Sequence, residues 1–183
     1  MTTTQRPRNR RGQGERLREE IVAAAATLLE RHDAVTLRAV ARQAGIAAPS
    51  IYRHFPDRDA VVQGLADEAS AALLAAVRDG LAVDGNAVTR LRAACDAYVA
   101  GAARRPEHYR VLAERMRTTA DDAGVVPLLV GAVEDCVDEG SSASTDPAAD
   151  GRALAVALHG LASLGRGAGP ARVLVDRLAS LRA

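Results

Sequence analysis

Residues 45–58 read GIAAPSIYRHFPDR. Gly45 tolerates the left-handed backbone that ends a helix. Pro49 suits the first turn of the next helix, where a missing N–H costs nothing. Ile51 and Phe55 lie four residues apart and so share one helix face. Pro56 ends the helix, because the residue before a proline is pushed out of the α region. The segment therefore reads as a short helix over 49–55, anchored inward by Ile51 and Phe55. Ser50, Tyr52, Arg53 and His54 must then point outward or sideways. Only four aromatic residues occur in 183, and two of them stand here. An outward Tyr-Arg-His cluster suits a surface that enters a major groove, where Arg reads guanine and Tyr bonds phosphate.

The flanking sequence extends this pattern. Leu37, Val40, Ala41 and Ala44 fall on one face of a preceding helix, with Thr36 as its N-cap. Ala41 is small where the two helices must approach. Leu17, Ile21, Ala24, Ala25 and Leu28 stripe a first helix. Two helices joined by a Gly-containing turn form a helix-turn-helix signature.

Downstream, nearly every apolar pattern is also helical. Asp57 and Asp59 mark the start of a long fourth helix with the stripe Val61, Leu65, Ala69, Leu73 and Val77. AVDGN, 82–86, breaks it. A fifth helix carries Val88, Leu91, Cys95, Tyr98 and Ala102. Pro106 opens a sixth with Tyr109, Leu112 and Met116, and a seventh runs from about Pro127. GSSASTDPAADG, 140–151, reads as loop. The eighth helix, RALAVALHGLASLGRG, is apolar on every face over 153–158 and so must be covered on both sides. A ninth starts at Pro170. No alternating run argues for strands. The expected fold is all-α with about nine helices.

Composition bounds the alternatives. With 48% apolar residues the chain needs neither disulfide nor metal to build a core. Two cysteines make no disulfide framework, and a reducing cytosol is the expected compartment. No run of 18 apolar residues occurs, so no membrane partner is expected. Net charge is only +1, but residues 1–60 hold 11 Arg against 7 acids, and the remainder 13 Arg against 16 acids. A basic end fits a polyanion partner and equally fits a solvated tail. No Gly-rich phosphate loop, nucleophile elbow, HExxH or CxxC occurs, so an enzyme is not expected. The four histidines have no close i, i+4 pair and the cysteines lie far apart in sequence; neither a metal site nor a cofactor is expected.

TLRAVARQAGIAAPSIYRHFPDRDAVV, 36–62, resembles the DNA-binding domain of the TetR family of bacterial transcriptional regulators. The matching features are Thr36, Arg38, the Ala41…Ala44-Gly45 turn, Tyr52, the His54-Phe55-Pro56 stop and the acidic-basic start of the fourth helix. LREEIVAAAATLLER, 17–31, is similar to that family's first helix. The resemblance covers about residues 15–65. ALHGLASLGRG is similar to the eighth helix of a subgroup that often carries Trp-His-Gly, where this chain has Leu158-His159-Gly160. Ala47 stands where Ser is common, and Arg58 where Lys is common.

Residues 1–14, polar, basic and glycine-bearing, read as a disordered arm. The resemblance implies a helix-turn-helix domain over 15–60 and an effector-binding and dimerisation domain over 61–183. It implies a ligand-responsive repressor acting as a homodimer on an inverted-repeat operator of double-stranded DNA. The alternative is a helical dimeric DNA-binding or interaction protein with no small-molecule effector. Tyr52 and His54 are expected at the backbone or nearby base edges, with Arg53 and Ser50 beside them in readout. Thr36 and Arg38 are expected to hold phosphates at a helix N-terminus. Arg42 and Arg58 add phosphate contacts or are ordinary solvated arginines. Ala47 and Pro49 complete the set at the entry to the recognition helix. Arg6, Arg8, Arg10 and Arg11 either enter a minor groove or attract DNA non-specifically.

The effector is not readable from sequence. Tyr98, His108, Tyr109, Met116 and His159 are the ligand candidates among small apolar neighbours, and Tyr98 and Met116 fit core positions as well. The dimer seam is expected at Leu154, Leu158 and Leu161 of the eighth helix with Leu174 and Leu178 of the ninth, unless the eighth helix is simply central to a monomeric bundle.

Overall fold

The computed structural model describes residues 13–119, 124–165 and 168–182. These hold nine helices: α1 Gln13–Glu30, α2 Leu37–Gln43, α3 Ala48–Ile51, α4 Arg58–Leu81, α5 Ala87–Arg104, α6 Pro106–Thr119, α7 Val125–Asp138, α8 Pro147–Ser163 and α9 Ala168–Leu178. Two compact units divide within α4, between Leu65 and Ala66. The arm arginines, Arg6 to Arg11, lie outside the described residues.

In the N-terminal unit the core is Ile21, Ala25, Val40, Ile51, Phe55, Val61 and Leu65, each fully buried. The first turns of α4 belong here, beyond the sequence boundary at residue 60. Their Gly64 faces Phe55: a Cβ at that position would stand 3.0 Å from Val22 and 3.3 Å from the Phe55 ring. Thr36 caps α2 by accepting from the Ala39 N–H at 3.2 Å, satisfying one of the orphan donors of the first turn. Gly45 adopts φ +65° and Ile46 donates back to the Ala41 carbonyl, which closes α2 as its sequence expects.

The third helix is shorter than the 49–55 read from sequence. Regular α3 covers Ala48–Ile51, and residues 52–54 continue as a turn. The Phe55 N–H still donates to the Ile51 carbonyl at 2.9 Å. Pro56 has no N–H to extend the ladder, so the helical geometry relaxes before it. Asp57 then caps α4 by accepting from the Ala60 N–H at 2.7 Å.

In the C-terminal unit, Tyr98, Leu91, Leu112, Leu129, Val133, Leu154 and Leu158 form one core drawn from α5 to α8, closed by Ala171 and Val175 of α9. Two helix pairs meet backbone to backbone: a Cβ on Gly80 of α4 would lie 2.6 Å from the Ala94 Cα of α5, and one on Gly151 of α8 2.7 Å from the Val130 Cα of α7. Helix α8 begins at Pro147, earlier than the sequence reading placed it. Asp146 caps it by accepting from the Ala149 N–H at 2.9 Å, and Pro147 occupies its first position. The loop before it is tied down too. Ser142 donates to the Ala179 carbonyl at 2.6 Å and bridges antiparallel to Leu181. Ion pairs brace the helices: Arg92 meets Asp176 at 2.7 Å and Arg90 meets Glu139 at 3.1 Å. The Ala87 N–H, donating to Glu139 at 2.7 Å, and the Arg90 guanidinium hold that carboxyl below its usual range. Cys95 and Cys136 are buried free thiols, and burial pushes Cys95 up to about 12.

By length and hydropathy alone α4 is apolar enough to cross a membrane. Its middle, however, carries Asp67 and Glu68, which pair with Arg115 and Arg105. These pairs tie this stretch of α4 to α6 and to the end of α5.

Candidate nucleic-acid interface and ligand cleft

The inward anchors dictate the outward face of the N-terminal unit. Ile51 and Phe55 have no exposed surface, so the side chains between them turn outward or sideways. Tyr52 is 55% exposed, Arg53 is exposed, and Ser50 and His54 are half-buried. Ala47 and Pro49 are exposed at the α3 entry, where Ala47 supplies no side-chain cap. On α2, Thr36, Arg38 and Arg42 are exposed; Arg38 and Arg42 lie four apart and share one face.

Arg58 is different. Its Nε donates to the Val35 carbonyl at 3.1 Å and its guanidinium pairs with Asp59 at 3.2 Å. Two internal acceptors already engage the charge read from sequence as a phosphate contact, although 61% of the side chain remains exposed. Arg18 went unnoticed in the sequence. It lies 4.4 Å over the Phe55 ring and donates to the His54 carbonyl at 3.3 Å, a cation–π and hydrogen-bond clamp on the end of the recognition segment.

The C-terminal unit contains a cleft of about 530 Å³. Ala69, Ala72 and Leu73 of α4 with Gly101 and Ala102 of α5 supply its apolar lining; Arg104, Arg105, His108 and Tyr109 supply the polar one. Tyr109 also starts a chain of polar contacts. Its hydroxyl lies 3.0 Å from the Tyr98 hydroxyl and 2.8 Å from His159 Nδ1. Burial pushes both phenols up and holds the His159 imidazole below its ordinary value. With His159 neutral, Tyr98 can donate to Tyr109 and Tyr109 to Nδ1, so the buried hydroxyls are satisfied.

Residues 21–65 match the family model of bacterial regulatory proteins, tetR family. Residues 91–183, just over half the chain, match that of the tetracyclin repressor-like C-terminal domain. The chain belongs to the TetR family.

The chain is also similar to curated relatives and to solved structures. A nucleoid occlusion factor, SlmA of Vibrio cholerae, is 29% identical over 98 residues, covering 52% of this chain and 50% of its own. The chain thus spans about half the length of the curated relatives it matches. A Rhodococcus protein of unknown function is 27% identical with a TM-score of 0.71, the match covering 89% of this chain and 91% of that one. A TetR-family transcriptional regulator from Pectobacterium atrosepticum shares the fold, with a TM-score of 0.71 at 19% identity over 93% and 92% of the two chains. The TetR family consists of DNA-binding transcriptional regulators that typically dimerise.

Within this TetR fold the ligand candidates separate. His108 and Tyr109 line the cleft. Tyr98 and His159 stand behind Tyr109 in the hydrogen-bond chain, and half-buried Met116 packs against the core. Arg104, Arg105 and Gly101 were missed. The only signal for them was a glycine inside a helix and two arginines directly before Pro106, a pattern with many ordinary explanations.

The residues expected at the dimer seam differ in exposure. Leu154 is 0% and Leu158 1% exposed within the single chain, so neither side chain is available to a second copy. Both belong to the core of the C-terminal unit. Leu161, Leu174 and Leu178 are half-buried. Among the described residues of this region the exposed large apolar side chains are Val156 at 73%, Leu164 at 74% and Val173 at 55%. Val156, Gly160 and Leu164 follow the i, i+4, i+8 spacing of one α8 face.

Proposed function

We propose that this TetR-family chain is a ligand-responsive transcriptional repressor that binds an inverted-repeat operator as a homodimer. The observation that carries the reading is the reciprocal burial at the recognition segment. Ile51 and Phe55 are sealed inside while Tyr52 and Arg53 stand in solvent. An exposed aromatic beside an arginine is poorly explained by solvation alone and well suited to phosphate and base-edge contact. Thr36, Arg38 and Arg42 supply the phosphate contacts around it, with Ser50 and His54 at the edge of the readout. Arg58 contributes only its residual charge.

Selecting bound DNA from a random pool with the full-length protein is expected to return an inverted repeat with half-sites about one helical turn, roughly 34 Å, apart. Arg53→Ala and Tyr52→Ala are each expected to weaken binding to that operator by about 1–2 kcal/mol. Arg58→Ala should cost less. Recovery of unstructured sequences, or unchanged affinity in both variants, would sink the assignment of the reading face.

Dimerisation is assigned to the exposed α8–α9 face around Val156, Leu164 and Val173. A Cβ on Gly160 would meet nothing within 4 Å, leaving room there for close helix approach by a second copy. Val156→Glu would bury a carboxylate in that seam, and self-association measured by sedimentation is expected to fall at least about tenfold. An unchanged dimer would move the seam elsewhere. Effector release follows from α4, which runs unbroken from Arg58 to Leu81 through both units. A ligand that favours one α4 position over another shifts DNA affinity by its differential binding to the two states.

A further inference from the structure

The cleft combines two surfaces that rarely meet without a reason. Its floor is smooth and apolar, made by Ala72, Leu73, Gly101 and Ala102. Its rim is cationic: Arg104 and Arg105 line it, and among the described residues no acidic one does. The two meet at Gly101. A Cβ there would lie 3.5 Å from Leu73 Cδ1 and 3.8 Å from the Arg104 guanidinium. The missing side chain therefore keeps the passage from floor to guanidinium open.

The two arginines differ. Arg105 faces Glu68 at 3.6 Å. Arg104 makes no hydrogen bond or ion pair among the described residues. With Glu68 offsetting one of the two positive charges, the rim retains a surplus of one, matched by a monoanion. The next helix, α6, starts at Pro106, so its N-terminal N–H groups add to the positive potential. Apart from Tyr109 and the His108 imidazole the floor and rim offer no aromatic face on which a ring would stack. Small aliphatic side chains instead offer continuous dispersion contact to a flexible chain. The volume falls inside the range of about 300–1,000 Å³ usual for small-molecule sites.

We propose that this cleft binds an aliphatic carboxylate, its chain laid on Ala72, Leu73 and Ala102 and its head group held by Arg104 and Arg105. The inference deepens the effector-responsive reading and rests on it. An ordinary explanation exists for the arginines, since cations near the last turn of α5 complement its dipole. That role would affect stability and leave ligand selection untouched.

The test is calorimetric titration of the full-length protein with decanoate, decanol, decylamine and decyl phosphate, each below its aggregation concentration. Decanoate is expected to bind about tenfold or more tightly than decanol, and decylamine not at all. Arg104→Gln is expected to lower decanoate affinity about tenfold, leave decanol affinity unchanged and keep the melting temperature of the parent. The proposal is overturned if none of the four binds, if decanol or decylamine matches decanoate, if decyl phosphate binds more tightly than decanoate, or if Arg104→Gln leaves decanoate binding intact. Operator binding, measured in parallel without any probe, separates the two readings. Intact DNA binding with no decanoate binding removes only the cleft inference, and decanoate binding without DNA binding removes only the regulator.

Discussion

Phe55→Ala is expected to cost the N-terminal unit about 3–5 kcal/mol, the range for deleting a buried phenyl group. The ring is completely buried and is the single phenylalanine of the chain. The Gly64 backbone closes on one side of it, and the Arg18 guanidinium covers it at 4.4 Å. Small domains hold only about 5–15 kcal/mol in total, so the loss is a large share of what keeps this unit folded. The expected result in a urea titration followed by circular dichroism is an early transition from this unit, with loss of operator binding. The later, C-terminal transition should be little changed. A single transition at the parent's midpoint would show that Phe55 does not anchor the reading head.

Gly151→Ala is expected to destabilise the C-terminal unit by about 2–3 kcal/mol. Two effects oppose each other here. Alanine gains roughly 1 kcal/mol over glycine inside a helix. Against that, its Cβ would stand 2.7 Å from the Val130 Cα and 2.8 Å from the Val130 nitrogen. Those are backbone atoms, which cannot rotate away, so α7 and α8 must separate. Overpacking typically costs about 1–3 kcal/mol, and more when backbone must move. The clash therefore wins. The same substitution at Gly131, where a Cβ would meet nothing within 4 Å, keeps only the favourable term and serves as the control. The measurement is the shift in the second unfolding transition. A stabilised Gly151→Ala protein would mean that the two helices are not in contact at this point.

Much of the reading head is legible in residues close together in the chain. Thr36 caps its own helix, Gly45 ends it, Pro49 opens the next, and Pro56 stops that one. Each acts within one turn through donors, acceptors or φ, so a linear string carries the information. The four-residue spacing of Ile51 and Phe55 likewise orients Tyr52 and Arg53 before any neighbour is known. Arg58 marks the limit of such reasoning. Its identity says only that it is cationic, and its acceptor, the Val35 carbonyl, lies 23 residues away in sequence.

The far half of the chain divides differently. Helix spacing and caps told that α5 to α9 are helices, and the all-α class follows from that alone. Which leucines of α8 face inward did not follow, because a helix apolar on every side has no periodicity to orient it. Leu154 and Leu158 became core, and Val156 and Leu164 surface, through the positions of α5, α7 and α9. The cleft was equally hidden. Arg104 reaches the floor beside Leu73 only because α4 and α5 come together across the small side of Gly101. Local chemistry is written along the chain and determined the helices and the outward face of the reading head. The cleft depends on which distant surfaces meet, and packing alone decided it.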